Sequence, residues 1–279
     1  MTTAEPRVPV AVRCQRLVKM YAAPTGETQA LRGVEATFRS RTLSAITGPS
    51  GSGKSSLLSI IALRERQTGG ELEVDGVSTS RLSVRELVAL RRDHVSWVPQ
   101  RSADALLPTL TTREQLLHVA STTQRTPSDV DHLLERIGLA SRRGALSYEL
   151  SGGEQQRLAV AAAVLAGTPV VVADEPTAEL DDESADVVLA ELRHCAATGA
   201  CVVIATHDDR AMRAADRTLA LRHGVLATEA TGSGRALAAI DSAGRLQLPQ
   251  AALDLFPDGR AAVEVVDGEV RLRPPREDA

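Results

Sequence analysis

The chain reads as an α/β protein: a parallel β-sheet covered by helices on both faces, followed by a small β-rich tail. Three observations predict this. Two uncharged apolar runs, VVVA at 170–173 and CVVIA at 201–205, flank a helix-patterned stretch at 183–198. Strands buried on both faces have such continuous runs, and a crossover helix between them makes them parallel. A further apolar segment, TLSAIT at 42–47, passes through a glycine-rich loop into the helical pattern KSSLLSIIALRE at 54–65. Beyond about residue 228 the texture changes to small polar residues and then to short alternating segments with Asp-Gly turns.

In chain order, residues 8–20 and 34–47 carry strand patterns, and ELEVD at 71–75 reads as a strand closed by Gly76. Residues 112–165 are helical in pattern, with breaks near Pro127 and Gly144. The longest uncharged apolar stretch, 158–173, contains Gly167, Thr168 and Pro169 and is shorter than the ~20 residues that span a bilayer. It reads as buried helix, turn and buried strand. TEATGSG at 228–234 reads as a linker. Two domains are expected, 1–230 and 231–279, consistent with a length of 279 residues.

Composition excludes several functions. Hydrophobic residues at 43% and charged residues at 24% supply a core and rule out a disordered chain. A net charge of −4 with 2% aromatics lacks the basic surface and stacking platforms of a nucleic-acid binder. Cys14, Cys195 and Cys201 have no C-x-x-C spacing, so free thiols are expected rather than a zinc site or disulfide framework. The N-terminus lacks the apolar core of a secretory signal. The expectation is a cytoplasmic protein whose membrane role would come through a partner.

Three local patterns carry chemistry. Residues 48–55, GPSGSGKS, match G-x-x-x-x-G-K-[ST] between a strand and a helix. Small residues let backbone N–H groups turn inward around phosphates, and the helix adds its positive N-terminal end. Lys54 supplies a cation for the β- and γ-phosphates, and Ser55 a hydroxyl for Mg²⁺. The run VVVADEP ends in two carboxylates: Asp174 is placed to orient Mg²⁺, and Glu175 to act as general base on water. LSGGEQQR at 150–157 holds a capping box, Ser151 with Glu154, around two glycines. Glycine is a poor helix former, but here it bares backbone N–H groups at a positive helix end suited to an anion. A chain with two such ends binds two phosphates or shares a nucleotide with a second copy of itself.

These motifs in this order resemble the ABC-type ATPases over residues 8–228. The resemblance implies a P-loop NTPase core of RecA-like form, an antiparallel β-subdomain and a helical subdomain, with ATP and Mg²⁺ as ligands. It places Tyr21 at the adenine-stacking position. Gly48, Pro49, Ser50, Gly51, Ser52, Gly53, Lys54, Ser55 and Ser56 become the Walker A region, and Gln100, in WVPQ, the Q-loop residue that senses γ-phosphate and Mg²⁺. Ser151, Gly152, Gly153 and Gln155 form the signature, Asp181 ends the D-loop Glu179-Leu180-Asp181, and His207, in IATHD, joins Glu175 in catalysis. The metal set is Ser55, Gln100 and Asp174. Glu179 departs from the small or amide residue commoner there. ALRGV at 30–34, LLPTLTTRE at 106–114 and DEPTAELD at 174–181 look like the lipoprotein-release, macrolide-export and cell-division group (LolD-, MacB- and FtsE-like).

For that group the resemblance implies an ATPase homodimer, closed head to tail on ATP, at the inner face of the membrane with permease subunits. Leu106, Leu107 and Pro108 would lie near the permease groove, and Trp97 would pack in the core. The alternative is a soluble ABC ATPase acting on nucleic acid or in regulation, against which stand the acidic balance and the lack of long heptad insertions. The tail at 236–274, with Ile240, Leu246 and Leu248 around a turn at Ser242-Ala243-Gly244 and a hairpin turning at Asp267-Gly268, resembles the swapped hairpins of AbrB/SpoVT-type regulators. Six arginines face eight acids after Gly234, which favours a dimerising or regulatory tail over a DNA reader.

Overall fold

The two uncharged runs form the centre of the main sheet, as β7 (Val170–Asp174) and β8 (Cys201–Ala205). The structure is a computed structural model and describes residues 8–23, 26–123 and 126–231, with 236–238, 248, 252, 255–256, 260–267 and 269–274 of the tail. Val170, Val172, Cys201, Val203 and Ala205 join one apolar cluster, while Val171, Ala173, Val202 and Ile204 join another on the opposite face. All nine are fully buried. Each buried Val or Ile contributes about 1.5–3 kcal/mol.

Around this pair, β3 (Thr42–Thr47) and β6 (Val95–Val98) add parallel strands, giving the order β3-β8-β7-β6. β9 (Arg217–Arg222) continues the sheet parallel to β3, and β10 (Val225–Thr231) and β11 (Ala236–Ala238) complete seven strands in antiparallel fashion. Residues 228–231, expected in a linker, are therefore strand: the main-chain groups of β9 offer them a partner, and the sheet runs past residue 230.

The segment expected as strands at 8–20 and 34–47 resolves into β1 (Val10–Ala23), β2 (Gly26–Arg39) and β3. With β4 (Gly69–Val74) and β5 (Val77–Ser78), β1 and β2 form an antiparallel sheet ordered β2-β1-β4-β5. Its inner residues, Leu17, Leu31, Phe38 and Leu72, share one cluster with α1 (Lys54–Ile61) and the first face of the main sheet. α2 (Val84–His94) carries Leu90 into the same cluster, and Trp97 packs against it as expected. Cys14 and Cys201 are buried free thiols, and burial pushes both up to about 12.

Helices cover the second face. α3 (Thr112–Ala120), α4 (Pro127–Arg136) and α5 (Gly152–Leu165) each open with a capping box, at Thr111, Thr126 and Ser151. Pro127 takes the first turn of α4, where its missing N–H costs nothing. The second break begins at Gly138, whose φ of +69° ends α4. α6 (Asp182–Ala197) crosses between β7 and β8, and α7 (Asp209–Ala214) precedes β9. In the tail, β12 (Ala262–Val266) and β13 (Glu269–Arg273) form the expected hairpin as a sheet of their own, with Asp267 at φ +53° in the turn. The turn expected near Ser242-Ala243-Gly244 falls outside the described residues.

α4 is tied to α6 by Arg136, whose guanidinium donates through Nε to Glu191 Oε1 at 2.9 Å and through Nη2 to Oε2. Glu191 is 6% exposed, so its partner is what makes burial tolerable. Arg136→Ala should lower unfolding stability by about 1–3 kcal/mol, since a buried carboxylate is left unpaired. Pairing it with Glu191→Leu should recover most of the loss in urea unfolding midpoints; equal loss in both variants would refute the account.

Candidate nucleotide site

Strand register assembles the site. Ile46 and Asp174 both pair with Ala205, and Val98 pairs with Ala173. The carboxyl ends of β3, β8, β7 and β6 are therefore level, and residues 48–53, His207, Glu175 and Gln100 all leave the sheet from one edge. That edge is where open α/β sheets hold ligands.

The loop after β3 is shaped by close approach. Gly48 has φ +146°, and a Cβ there would stand 2.1 Å from the Leu221 carbonyl oxygen. Gly53 has φ +103°, and its Cβ would meet the Ala30 carbonyl at 2.5 Å. The Gly224 N–H donates to the Ser52 carbonyl at 3.0 Å, fixing the loop from behind. Lys54 Nζ folds over it, donating to the carbonyls of Gly48 at 2.8 Å and Pro49 at 3.3 Å. The exposed Ser50 and Gly51 form the tip. α1 starts at this loop without a side-chain cap, so its first N–H groups stay available to an anion. Ser52 Oγ is buried without a partner within the chain. A cradle of N–H groups, one ammonium and an unpaired buried hydroxyl fits a polyphosphate.

Beside the loop, Asp174 is 7% exposed and accepts a hydrogen bond from Ser55. Burial pushes its carboxyl up, and the Ser55 hydroxyl pulls it back. Hydroxyl and carboxylate oxygens are the hard donors Mg²⁺ prefers. Glu175 has φ +49°, a left-handed backbone that costs a side-chain-bearing residue about 1–2 kcal/mol. Its N–H donates to the Ala205 carbonyl at 2.9 Å, and its carboxylate lies 3.0 Å from His207 Nδ1. His207 is 75% exposed and Glu175 12%, so the base is sheltered and the imidazole reaches outward.

At the other side of the loop, Tyr21 stands half-buried on β1. Its hydroxyl donates to Glu65 at 2.8 Å and accepts from the Ser56 hydroxyl at 3.2 Å, and the Lys19 ammonium lies 4.8 Å from the ring centroid. The ring is thus anchored by its hydroxyl to α1 and the turn after it. Ser56 is occupied in this anchoring.

The second glycine motif stands apart. Ser151 and Glu154 form the capping box, with Ser151 N–H donating to the Glu154 carboxylate at 2.8 Å, and Arg142 adds 3.1 Å to the same carboxylate. These N–H and guanidinium partners, led by the Ser151 N–H, hold the Glu154 carboxyl low. The nearest neighbours of Gly153 are Leu180 and Ser184 on the D-loop side, and Gly152 opens onto free space. Asp181 caps α6 through the Ser184 N–H at 2.7 Å, which lowers its carboxyl pKa. A cavity of about 790 Å³ runs between the two, lined by Ser151, Gly153, Glu179, Leu180 and Asp181.

Gln155 donates its amide nitrogen to the carbonyls of Ser147 and Leu150 at 2.9 and 3.2 Å, satisfying a turn that has no helix to do so. One expectation needs correction. Leu106 is 7% exposed and belongs to the core, whereas Leu107 is 46% exposed. Reading the sequence missed Arg157, which donates to Ser184 at 2.9 Å, and Thr177, which donates to Asp208 at 2.9 Å. Each lies within or beside a motif already noted, which was the available signal.

Known proteins agree with this geometry. The family described as ABC transporter matches residues 31–178. The chain is 39% identical over 220 residues to a lipoprotein-releasing system ATP-binding protein LolD of Novosphingobium aromaticivorans, covering 77% of this chain and 97% of the relative. It is 34% identical over 232 residues to a macrolide export ATP-binding/permease protein MacB of Agrobacterium fabrum, covering 82% of this chain but 36% of that longer protein. Among solved structures, the dimeric post-hydrolysis state of the ATP-binding cassette MJ0796 with ADP and Pi superposes with a TM-score of 0.73 at 30% identity, over 80% of this chain and all of that one. Phosphate loop, paired carboxylates and outward histidine share one sheet edge, the overall fold is that of known ATP-binding cassettes, and the chain belongs to the ABC transporter ATP-binding family.

Proposed function

We propose that the chain is the ATP-hydrolysing subunit of an ABC transport complex, working as a homodimer against a membrane permease from the cytoplasmic face. The observation that carries this reading is the contact of Glu175 with His207 at 3.0 Å, beside a phosphate cradle at the same sheet edge. Residues 48–56 hold the triphosphate, with Lys54 turning from the loop carbonyls to the β- and γ-oxygens, and the Tyr21 ring offers a face to the base. Glu175 takes a proton from the attacking water, and His207 both fixes the carboxylate and reaches the γ-phosphate. Ser55, Asp174 and Gln100 would hold Mg²⁺, which supplies charge neutralisation on the phosphate oxygens. Ser151 and Gly153 line a cavity that no residue of 48–56 borders, so Ser151, Gly152 and Gly153 serve a nucleotide held by a second copy, with Asp181 alongside. ATP then closes the dimer by mass action.

Several features support the permease partner. Leu107 and Tyr148 are exposed at 46% and 67%. The buried Gln115 clamps the Leu107 main chain, accepting its N–H at 3.1 Å and donating back to its carbonyl at 2.5 Å. Ser147 Oγ lies 3.5 Å from the same carbonyl, so the two side chains are carried by adjoining segments. Among the described residues no helix is long and apolar enough to cross a membrane. Because β10 and β11 belong to the main sheet, we assign the part of 231–279 that follows β11 as the module that holds two copies together; Val263, Val265 and Val270 of the hairpin, exposed at 64%, 74% and 67%, support that role.

Glu175→Gln should still bind MgATP while turnover falls by at least about 100-fold, because the amide cannot accept the proton. Lys54→Ala should instead lose affinity for MgATP together with turnover. Fluorescent-nucleotide binding alongside phosphate release separates the two, and a Glu175→Gln variant as fast as wild type would dismiss the base.

Removing the chain after Gly232 should leave nucleotide binding intact and weaken self-association without nucleotide. Equal oligomeric states of the truncated and full chains in nucleotide-free ultracentrifugation would rule out a dimerising tail.

A further inference from the structure

Behind the Glu175–His207 contact, three segments distant in sequence meet, and one arginine joins them. Arg210 stands in the first turn of α7, after the N-cap Asp208. Its Nη1 donates to the Asp182 carbonyl at 2.7 Å and lies 3.2 Å from Asp186 Oδ1, while Nη2 is 2.7 Å from the Asp182 carboxylate. Its own main-chain N–H donates to Asp208 Oδ1 at 2.8 Å, and Asp208 Oδ2 accepts the Thr177 hydroxyl at 2.9 Å. Thr177, Asp208, Arg210 and Asp182 thus line a cavity of about 240 Å³ that also contains Glu175 and His207.

The same contacts reach the face expected to meet a second copy. Asp182 directly follows Asp181, and Glu179, two residues earlier, holds a left-handed φ of +62°. Arg210 is the cation among Asp182, Asp186 and Asp208. Without it, three carboxylates would face one another across the gap between α6 and α7. Asp182 and Asp186 are 92% and 71% exposed, so the ion pairs add little to stability. What the fork of the guanidinium supplies is a fixed separation, set at a carbonyl and two carboxylates at once.

We propose that Arg210 is a positioning residue for hydrolysis: it ties the start of α6 to the start of α7, so that the 179–182 segment sets how His207 stands against Glu175. The inference rests on the ATPase reading above. It predicts a defect in turnover rather than in nucleotide binding, since Arg210 touches neither the phosphate loop nor Tyr21.

Steady-state MgATP hydrolysis and nucleotide binding by the full chain test it. Arg210→Gln should lower kcat about tenfold with KM and nucleotide affinity within about twofold of wild type. Arg210→Lys, which keeps the charge and loses the fork, should fall between the two. Asp186→Asn should give a smaller drop and add nothing to Arg210→Gln, because both act through one contact. The thermal midpoint should move by less than about 4 °C. An unchanged kcat in Arg210→Gln overturns the inference while leaving the ATPase reading intact. So does a fall in kcat matched by a large loss of thermal stability, with Arg210→Lys no better than Gln. A wild-type chain that binds MgATP without turning it over would overturn the ATPase reading itself, and this inference with it.

Discussion

Two-sided burial of β7 and β8 fixes their register, and the register fixes the site. Both strands are apolar at every interior position and contact opposite clusters by alternation. A slip of one residue would swap those clusters, setting Val170 and Val172 against the wrong helices and drawing Glu175 into the sheet. Asp174 is the last strand residue and Glu175 the first outside it. The charged groups appear where the chain first leaves the apolar interior. Their placement within reach of the loop after β3 follows from strand order, with no further instruction in the carboxylates themselves.

The loops at that edge hold conformations that free peptides avoid. Gly48 and Gly53 take left-handed backbones against carbonyl oxygens that leave no room for a Cβ. Glu175 and Glu179 take them despite bearing side chains. Such strain persists where the surrounding structure over-determines it. Here the Ala205 carbonyl holds the Glu175 N–H, and the Gly224 N–H holds the Ser52 carbonyl. The two glycine motifs differ accordingly. α1 begins uncapped, with its donors available, whereas α5 begins with a satisfied capping box and a carboxylate already paired with Arg142. The first motif leaves helix-start donors open to an anion; the second presents a glycine-surfaced helix end whose cap is already satisfied.

What could be read from sequence was what a single local pattern determines. The buried runs, the phosphate loop, the capping box at Ser151 and Glu154 and the hairpin around Asp267 each depend on neighbours a few residues away. Residues 228–231 were misread because small and polar residues suit a linker or an edge strand equally, and β9 decides between them. Leu106 follows a family motif in sequence, but a core cluster claims it. Resemblance ordered the motifs without revealing how they are tied. The Tyr21–Glu65, Thr177–Asp208 and Arg157–Ser184 contacts span 44, 31 and 27 residues and have no spacing signature.

Several long-range ties converge on α6. Arg136 from α4 reaches Glu191, Arg157 from α5 reaches Ser184, and Arg210 from α7 reaches Asp182 and Asp186. In return, Arg193 of α6 donates to the Ala214 carbonyl at the end of α7, 3.0 Å away. One helix thereby receives polar contacts from each of the elements that carry the second glycine motif, the helical segment and the histidine loop. A hydrogen-bonded helix is stiff along its length, so displacement at its Asp181 cap is carried to these partners rather than absorbed locally. Interdigitated apolar side chains resist sliding of α6 against α5, but they are non-directional and do not fix the polar groups at its ends. Arginine forks on fixed acceptors oppose that sliding, and they do so where the nucleotide edge and the helical segment must stay in step.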